Sequence, residues 1–174
     1  MKRLILATGA AVLVAIPASV EAQDTEWNRY TLEEIGGVYV STEATAACEA
    51  AGVTASSVEA DAALKLLDGE VDLLTQEEML ANPGLPELRI SLSCVAGNGG
   101  AVAYSVALRV QQAAQMVRDN QVTLAEAVTW YTTDVGVASG DGAGSAIKSA
   151  LDAKLMQFAA AYASANATDA TGSN

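Results

Sequence analysis

Ser145 and Lys148 form an SxxK motif, the spacing most suggestive of catalysis in this chain. In serine β-lactamases and penicillin-binding enzymes, this spacing places a lysine amine beside a nucleophilic serine. The partner motifs are missing, because there is no KTG and Arg118-Asp119-Asn120 is not SDN. The chain has no histidine, the usual base for such a nucleophile. We favour a helix start followed by a solvated lysine. The alternative is a histidine-free hydrolase that uses carboxylates or this Ser–Lys pair.

The acidic segment at Asp68, Glu70 and Asp72 suggests a weak cation site. Alternation along a predicted strand would direct Glu70 and Asp72 to one side. The spacing is not that of an EF-hand, and a solvated acidic edge that discourages aggregation is the favoured interpretation. Two cysteines without histidine cannot complete a four-ligand zinc site. The sequence therefore predicts no catalytic residue, no structural metal and no cofactor.

The two cysteines, Cys48 and Cys94, are predicted to form a disulfide. An even cysteine count in an exported chain favours pairing, and closing this loop would stabilise the fold by about 4 kcal/mol. The alternative is two buried thiols. The pair is not a CxxC motif, so redox catalysis is not expected.

Residues 1–22 have the pattern of a secretory signal peptide. Lys2 and Arg3 precede an uncharged apolar run that ends at Pro17, and small residues follow up to Ala22. The apolar run is too short to span about 30 Å of hydrocarbon, which disfavours a membrane anchor. We expect cleavage between Ala22 and Gln23 and a periplasmic or secreted product.

The chain is strongly acidic, with 21 Asp+Glu against 9 Lys+Arg and a formal charge of −12. Loss of Lys2, Arg3 and Glu21 with the signal peptide would change this charge to −13. Such a charge repels phosphate backbones, so no nucleic-acid partner is expected. No second apolar stretch has spanning length, so no integral membrane segment is expected after cleavage.

Strict alternation of apolar and polar residues predicts two paired strands on either side of Gly97-Asn98-Gly99-Gly100. The first arm covers 88–94, and the second covers 102–111 and extends toward Val117. Their apolar positions should face a core that includes Cys94. The opposite face is predicted as a contact surface formed by Arg89, Ser91, Ser93, Ser105 and Arg109. A plain solvent-facing surface is the alternative.

The remaining pattern predicts strands at 38–41, 71–74 and 127–137, with Val128 and Trp130 on one face. Helices are expected over 57–68, with Ser56 and Glu59 as a capping box and Gly69 as its stop, and over 145–165. Residues 77–86 read as a loop. The order β-α-β-β-β-β-α predicts an α+β two-layer sandwich. Its mainly antiparallel sheet would have about 4–5 strands, with both helices on one face. One domain is expected over 23–166, with a disordered tail over 167–174.

Part of the sequence resembles small exported bacterial proteins of uncharacterised function. The likeness rests on the hairpin, the Thr129-Trp130 pair in the next strand, and a closing amphipathic helix with Phe158 and Tyr162 near its end. It implies a periplasmic location and an α+β sandwich, and it transfers no catalytic residue. The leading hypothesis is a soluble, non-enzymatic accessory or binding protein of the cell envelope, with a protein partner there.

Overall fold

The computed structural model of the chain describes residues 25–167. The predicted signal peptide, its cleavage point and the tail from residue 168 onward lie outside the described residues. Within them, the chain forms one four-stranded sheet and five α-helices. The predicted α+β class is therefore confirmed, with four strands.

The sheet is built from β1 (Tyr39–Ala44), β2 (Glu87–Ala96), β3 (Ala101–Met116) and β4 (Asp119–Ser139), in that spatial order. β1 runs parallel to β2, whereas the β2–β3 and β3–β4 pairs are antiparallel. The parallel step is possible because a helical crossover lies between β1 and β2. β3 and β4 extend beyond the end of β2, so their hairpin projects from the sheet.

The helices are α1 (Glu26–Arg29), α2 (Ala46–Ala50), α3 (Ala55–Asp68), α4 (Gln76–Ala81) and α5 (Ala143–Asn166). The core lies between the sheet and the two long helices, α3 and α5. Val58, Ala62 and Leu66 of α3 are buried there, whereas Leu67 is exposed. Phe158 of α5 packs against Trp130 of β4 with ring centroids 5.2 Å apart. The sheet contributes the alternating positions of β2 and β3 that share the Cys94 side.

Two local predictions in the crossover are wrong. Residues 71–74 form no strand, because only Val38 and Leu73 pair there, in an isolated parallel bridge. Residues 77–86 were expected to form a loop, but the first of them lie in α4. Thr75 starts this helix with a capping box, in which its hydroxyl accepts from the Glu78 N–H and the Glu78 carboxylate accepts from the Thr75 N–H.

The ends of α3 also differ from the prediction. Its capping box joins Thr54 and Ser57, so the helix begins before the predicted Ser56 cap. Gly69 has a φ of −87°, and the left-handed residue is Glu70 with a φ of 58°. Glycine is needed at 69 for another reason, because a Cβ there would lie 2.6 Å from the Ala159 Cβ of α5.

β4 begins earlier than predicted and contains a bulge that reverses one expected side-chain direction. Val110 pairs with Trp130, and the next residue of β3, Gln111, pairs with Val128. Thr129 is the extra residue of the bulge. Trp130 is therefore buried, whereas Val128 lies on the opposite face and is exposed, so their predicted common face is wrong.

Candidate functional site

The face of the sheet opposite α3 and α5 is called the uncovered face here. It carries the odd-numbered residues of β1, of β2 and of β3 from Ala101 to Gln111, together with the β4 positions that pair with them. Val95, Val135 and Val137 are 68%, 71% and 74% exposed on this face. No described element covers that end of the sheet. Only α4 flanks the opposite end, near Glu87.

The five predicted contact residues all lie on the uncovered face, in three adjacent rows. Arg89 pairs with Arg109, Ser91 pairs with Ala107, and Ser93 pairs with Ser105. The period-2 alternation of two antiparallel strands brings them together, as expected from the sequence. Their role in contact with a partner remains a prediction.

Arg89 is neutralised within the face. Its Nε lies 3.2 Å from Oε1 of Glu87, and its terminal nitrogen lies 3.4 Å from Oε2. The Ser41 hydroxyl of β1 also donates to this carboxylate. The hydrogen bond to Glu87 raises the pKa of Arg89, and the negative charges of Glu87, Glu126 and Glu43 add to this effect. Arg89 is therefore a fixed structural cation.

Arg109 differs from Arg89 although the two are directly paired. It lies between Arg89 on β2 and Tyr131 on β4, and it is partly buried. Among the described residues, no carboxylate oxygen lies within 4.0 Å of its guanidinium nitrogens. In a chain with this acid excess, the middle of the uncovered face thus holds an arginine whose guanidinium has no carboxylate partner in the described part of the chain.

The predicted disulfide between Cys48 and Cys94 is present, with Cα atoms 5.1 Å apart. It joins α2 to the core side of β2. Thr45 reinforces the junction, because its hydroxyl accepts from the Cys94 N–H at 2.9 Å.

An open cavity of about 470 Å³ lies beside α2 and the start of α5. Eight of its ten lining residues are alanine or glycine, and Asp141 is the one ionisable side chain among them. This cavity is therefore not lined by a set of groups that could react together.

Ser145 and Lys148 are not assembled as a catalytic pair. Both are exposed near the start of α5, and no hydrogen bond joins them among the described side chains. The Lys148 amine instead lies 3.3 Å from a carboxylate oxygen of Asp61 on α3. The two side chains are 47% and 44% exposed, as in a solvated ion pair between helices.

Asp68, Glu70 and Asp72 are exposed and do not converge. Within residues 25–167, no group of three or more acidic or cysteine side chains is arranged to hold a metal ion. The strand expected to align Glu70 with Asp72 does not form. The Asp72 charge instead affects Tyr162. Burial is the main cause that raises the pKa of Tyr162, and the Asp72 charge raises this pKa further. A backbone hydrogen bond with Gly37 lowers it.

A second cavity, of about 240 Å³, lies where α4 meets the uncovered face. Met79, Leu80 and Leu85 form its apolar side, and the carboxyl-bearing Glu87 and Glu126 line it with Gln111 and Ala125. This juxtaposition could not be predicted from the sequence, because Glu126 is distant from Glu87 along the chain and the β3–β4 hairpin brings the two together. Glu87 is already bonded to Arg89 and Ser41.

Comparison with known proteins gives no family. No family model, no curated protein and no solved structure matches the chain. The helices among residues 25–167 include none that is both long enough and apolar enough to cross a membrane.

Proposed function

We propose that this chain is an exported, non-enzymatic binding protein of the bacterial cell envelope, which contacts a protein partner through the uncovered face. The observation that carries the proposal is the arrangement around Arg109. The Arg109 guanidinium, which has no carboxylate partner among the described residues, lies on the sheet in register with Tyr131 and near serine and alanine residues. Arginine and tyrosine are enriched at protein–protein contacts because they combine apolar area with directional hydrogen bonding.

Export is supported by the signal-like residues 1–22 and agrees with the buried disulfide, since disulfides persist in oxidising compartments. N-terminal sequencing of the protein from a bacterial periplasmic fraction tests this step. We expect the mature chain to begin at Gln23. Retention of Met1 in a cytoplasmic product would contradict the export step.

The contact face can be tested by photo-crosslinking in cells. A photoreactive residue at Ser93 should give a discrete adduct, whereas the same residue at Met156, exposed on α5, should not. Arg109→Gln should abolish the Ser93 adduct, because this variant lacks the guanidinium that the partner is proposed to bind. Arg118→Gln, at the exposed turn of the β3–β4 hairpin, is the matched control and should leave the adduct unchanged. Equal adducts from Ser93 and Met156, or an adduct insensitive to Arg109→Gln, would count against the proposal.

A further inference from the structure

The outer edge of β4 is open. β4 is the last strand of the sheet, and it pairs only with β3. Between Thr133 and Ser139, no outward backbone group bonds to another described element. In the described part of the chain, the edge is closed at the bulge, where the Asn28 side chain donates to the Thr129 carbonyl at 2.9 Å. An open edge presents a row of unpaired donors and acceptors to any approaching strand.

Between residues 133 and 139, this edge has few of the features that normally prevent pairing with another chain. Natural edge strands carry lysines, prolines or bulges, whereas residues 133–139 contain no proline and no basic residue. Asp134 is their one charged residue, and it lies toward α5, beside Ala146 and Ala150. The side that belongs to the uncovered face carries only Thr133, Val135, Val137 and Ser139, which are uncharged.

The chemistry of this segment matches a second copy of the chain. Two acidic copies repel one another where their carboxylates meet, which favours contact through a segment with few charges. The segment is also self-complementary about Gly136. If it pairs antiparallel with its own copy there, Val135 faces Val137, Thr133 faces Ser139, and Asp134 faces Ala138.

We propose that two copies of this protein associate through antiparallel pairing of β4 with β4, centred on Gly136. The two sheets become one eight-stranded sheet with a continuous uncovered face. Four exposed valines meet across the two-fold axis, and each Asp134 faces an alanine about 13 Å along the strand from its counterpart. This inference does not depend on the proposed function, because it uses the strand edge and not Arg109.

The association should be reversible. Each copy contributes seven strand residues, two of them valines. The area that such a contact buries falls below the roughly 1,200 Å² that stable complexes bury. Sedimentation velocity of the purified protein should therefore show a monomer–dimer equilibrium that depends on concentration. Added salt should favour the dimer, since it screens the repulsion between two acidic copies.

Val137→Lys tests the edge directly. It places a charge beside Val135 of the second copy and should weaken dimerisation by at least about tenfold. Val122→Lys is the matched control, because this exposed valine lies near the tip of the same strand, outside the paired segment. The control should dimerise like the wild type. A wild type that stays monomeric up to about millimolar concentration, or an equal loss in both variants, would overturn the proposal.

The register has its own test, which stays informative if a lysine variant fails to fold. Under mild oxidation, a mixture of Val135→Cys and Val137→Cys proteins should crosslink mainly as the heterodimer. Each variant alone should crosslink less, because neither position faces itself. Equal crosslinking of Val135→Cys alone would refute this register, and crosslinking no faster than that of Val122→Cys would refute the pairing. Pairing with an added unrelated strand peptide in preference to a second copy would also overturn the proposal.

Discussion

Removal of the Cys48–Cys94 disulfide should cost a large fraction of the stability of this protein. The bond closes a loop with a sequence separation of 46 residues, for which the chain-entropy model gives about 4 kcal/mol at 25 °C. Domains of this size unfold with about 5–15 kcal/mol in total. Both cysteines are also buried, so Cys48→Ala/Cys94→Ala additionally loses the packing of two sulfur atoms. We therefore expect a loss of at least about 4 kcal/mol and a fall in Tm of roughly 10 °C.

Urea unfolding followed by circular dichroism measures this loss. The single variants Cys48→Ala and Cys94→Ala are the controls, because either one already removes the cross-link. Each single variant should lose nearly as much free energy of unfolding as the double variant, which is strong non-additivity. The m-value should rise in all three, since an unfolded chain without the cross-link exposes more surface.

Two results would refute this reasoning. Small single-variant effects that simply add up in the double variant would mean that the cysteines contribute as separate packing residues. An unchanged m-value with a loss near 1 kcal/mol would mean that the loop is already constrained in the unfolded state.

Three further predictions concern the helices. Gly69→Ala should lower the free energy of unfolding by about 1–3 kcal/mol in urea titrations, because its Cβ would lie 2.6 Å from that of Ala159 and the helices must separate; a stabilised variant would contradict this close packing. The backbone and side-chain hydrogen bonds of Thr75 lower the pKa of Glu78, so its contribution to stability is present above its unfolded pKa and lost as the pH falls through its folded pKa. Thermal melts between about pH 3 and pH 6 should thus show a smaller acid-side loss for Glu78→Gln than for the wild type. Lys148→Ala should change stability by less than about 1 kcal/mol, as expected for a half-exposed ion pair, whereas a larger loss by chemical unfolding would indicate a buried role.

The parts of the fold that could be predicted are those in which local pattern and burial agree. Residues 88–111 alternate with period two, and the apolar stripe of α5 repeats with the helical period, so each element has one face that can be buried. The disulfide was predicted from the even cysteine count of an exported chain, and the position of Cys94 on the apolar side of β2 agrees with it. The uncovered face is simply the other half of that alternation, so its predicted residues share one surface.

The errors arose where one residue changes the register or where tertiary contacts determine the conformation. The bulge at Thr129 inserts a single residue, and no pattern within β4 distinguishes it from a regular strand. α4 is short, and its capping box is followed by Pro83 and Gly84, which favour a loop. The requirement for glycine at 69 comes from α5, which lies far away in the sequence.

That Arg109 has no carboxylate partner among the described residues could not be predicted either, because this too depends on tertiary contacts. Arg89 and Arg109 occupy equivalent positions in the alternation, and the sequence treats them alike. The difference depends on Glu87, which lies two residues from Arg89 on the same face, and on Glu126, which the β3–β4 hairpin brings toward Arg89. Arg109 is in register with Tyr131 instead, and this pairing emerges only from the β3–β4 register.

The distribution of charge connects the two proposed surfaces. β1 to β3 place two glutamates and two arginines on the uncovered face, and residues 133–139 of β4 add no charged side chain to that face. Approach of two copies along this edge therefore brings few like charges together. A β4–β4 dimer would leave both copies of Arg109 on one continuous uncovered face, so dimerisation and partner binding can occur together. If they do, Val137→Lys should weaken partner capture by loss of bivalency, whereas Arg109→Gln should leave dimerisation unchanged.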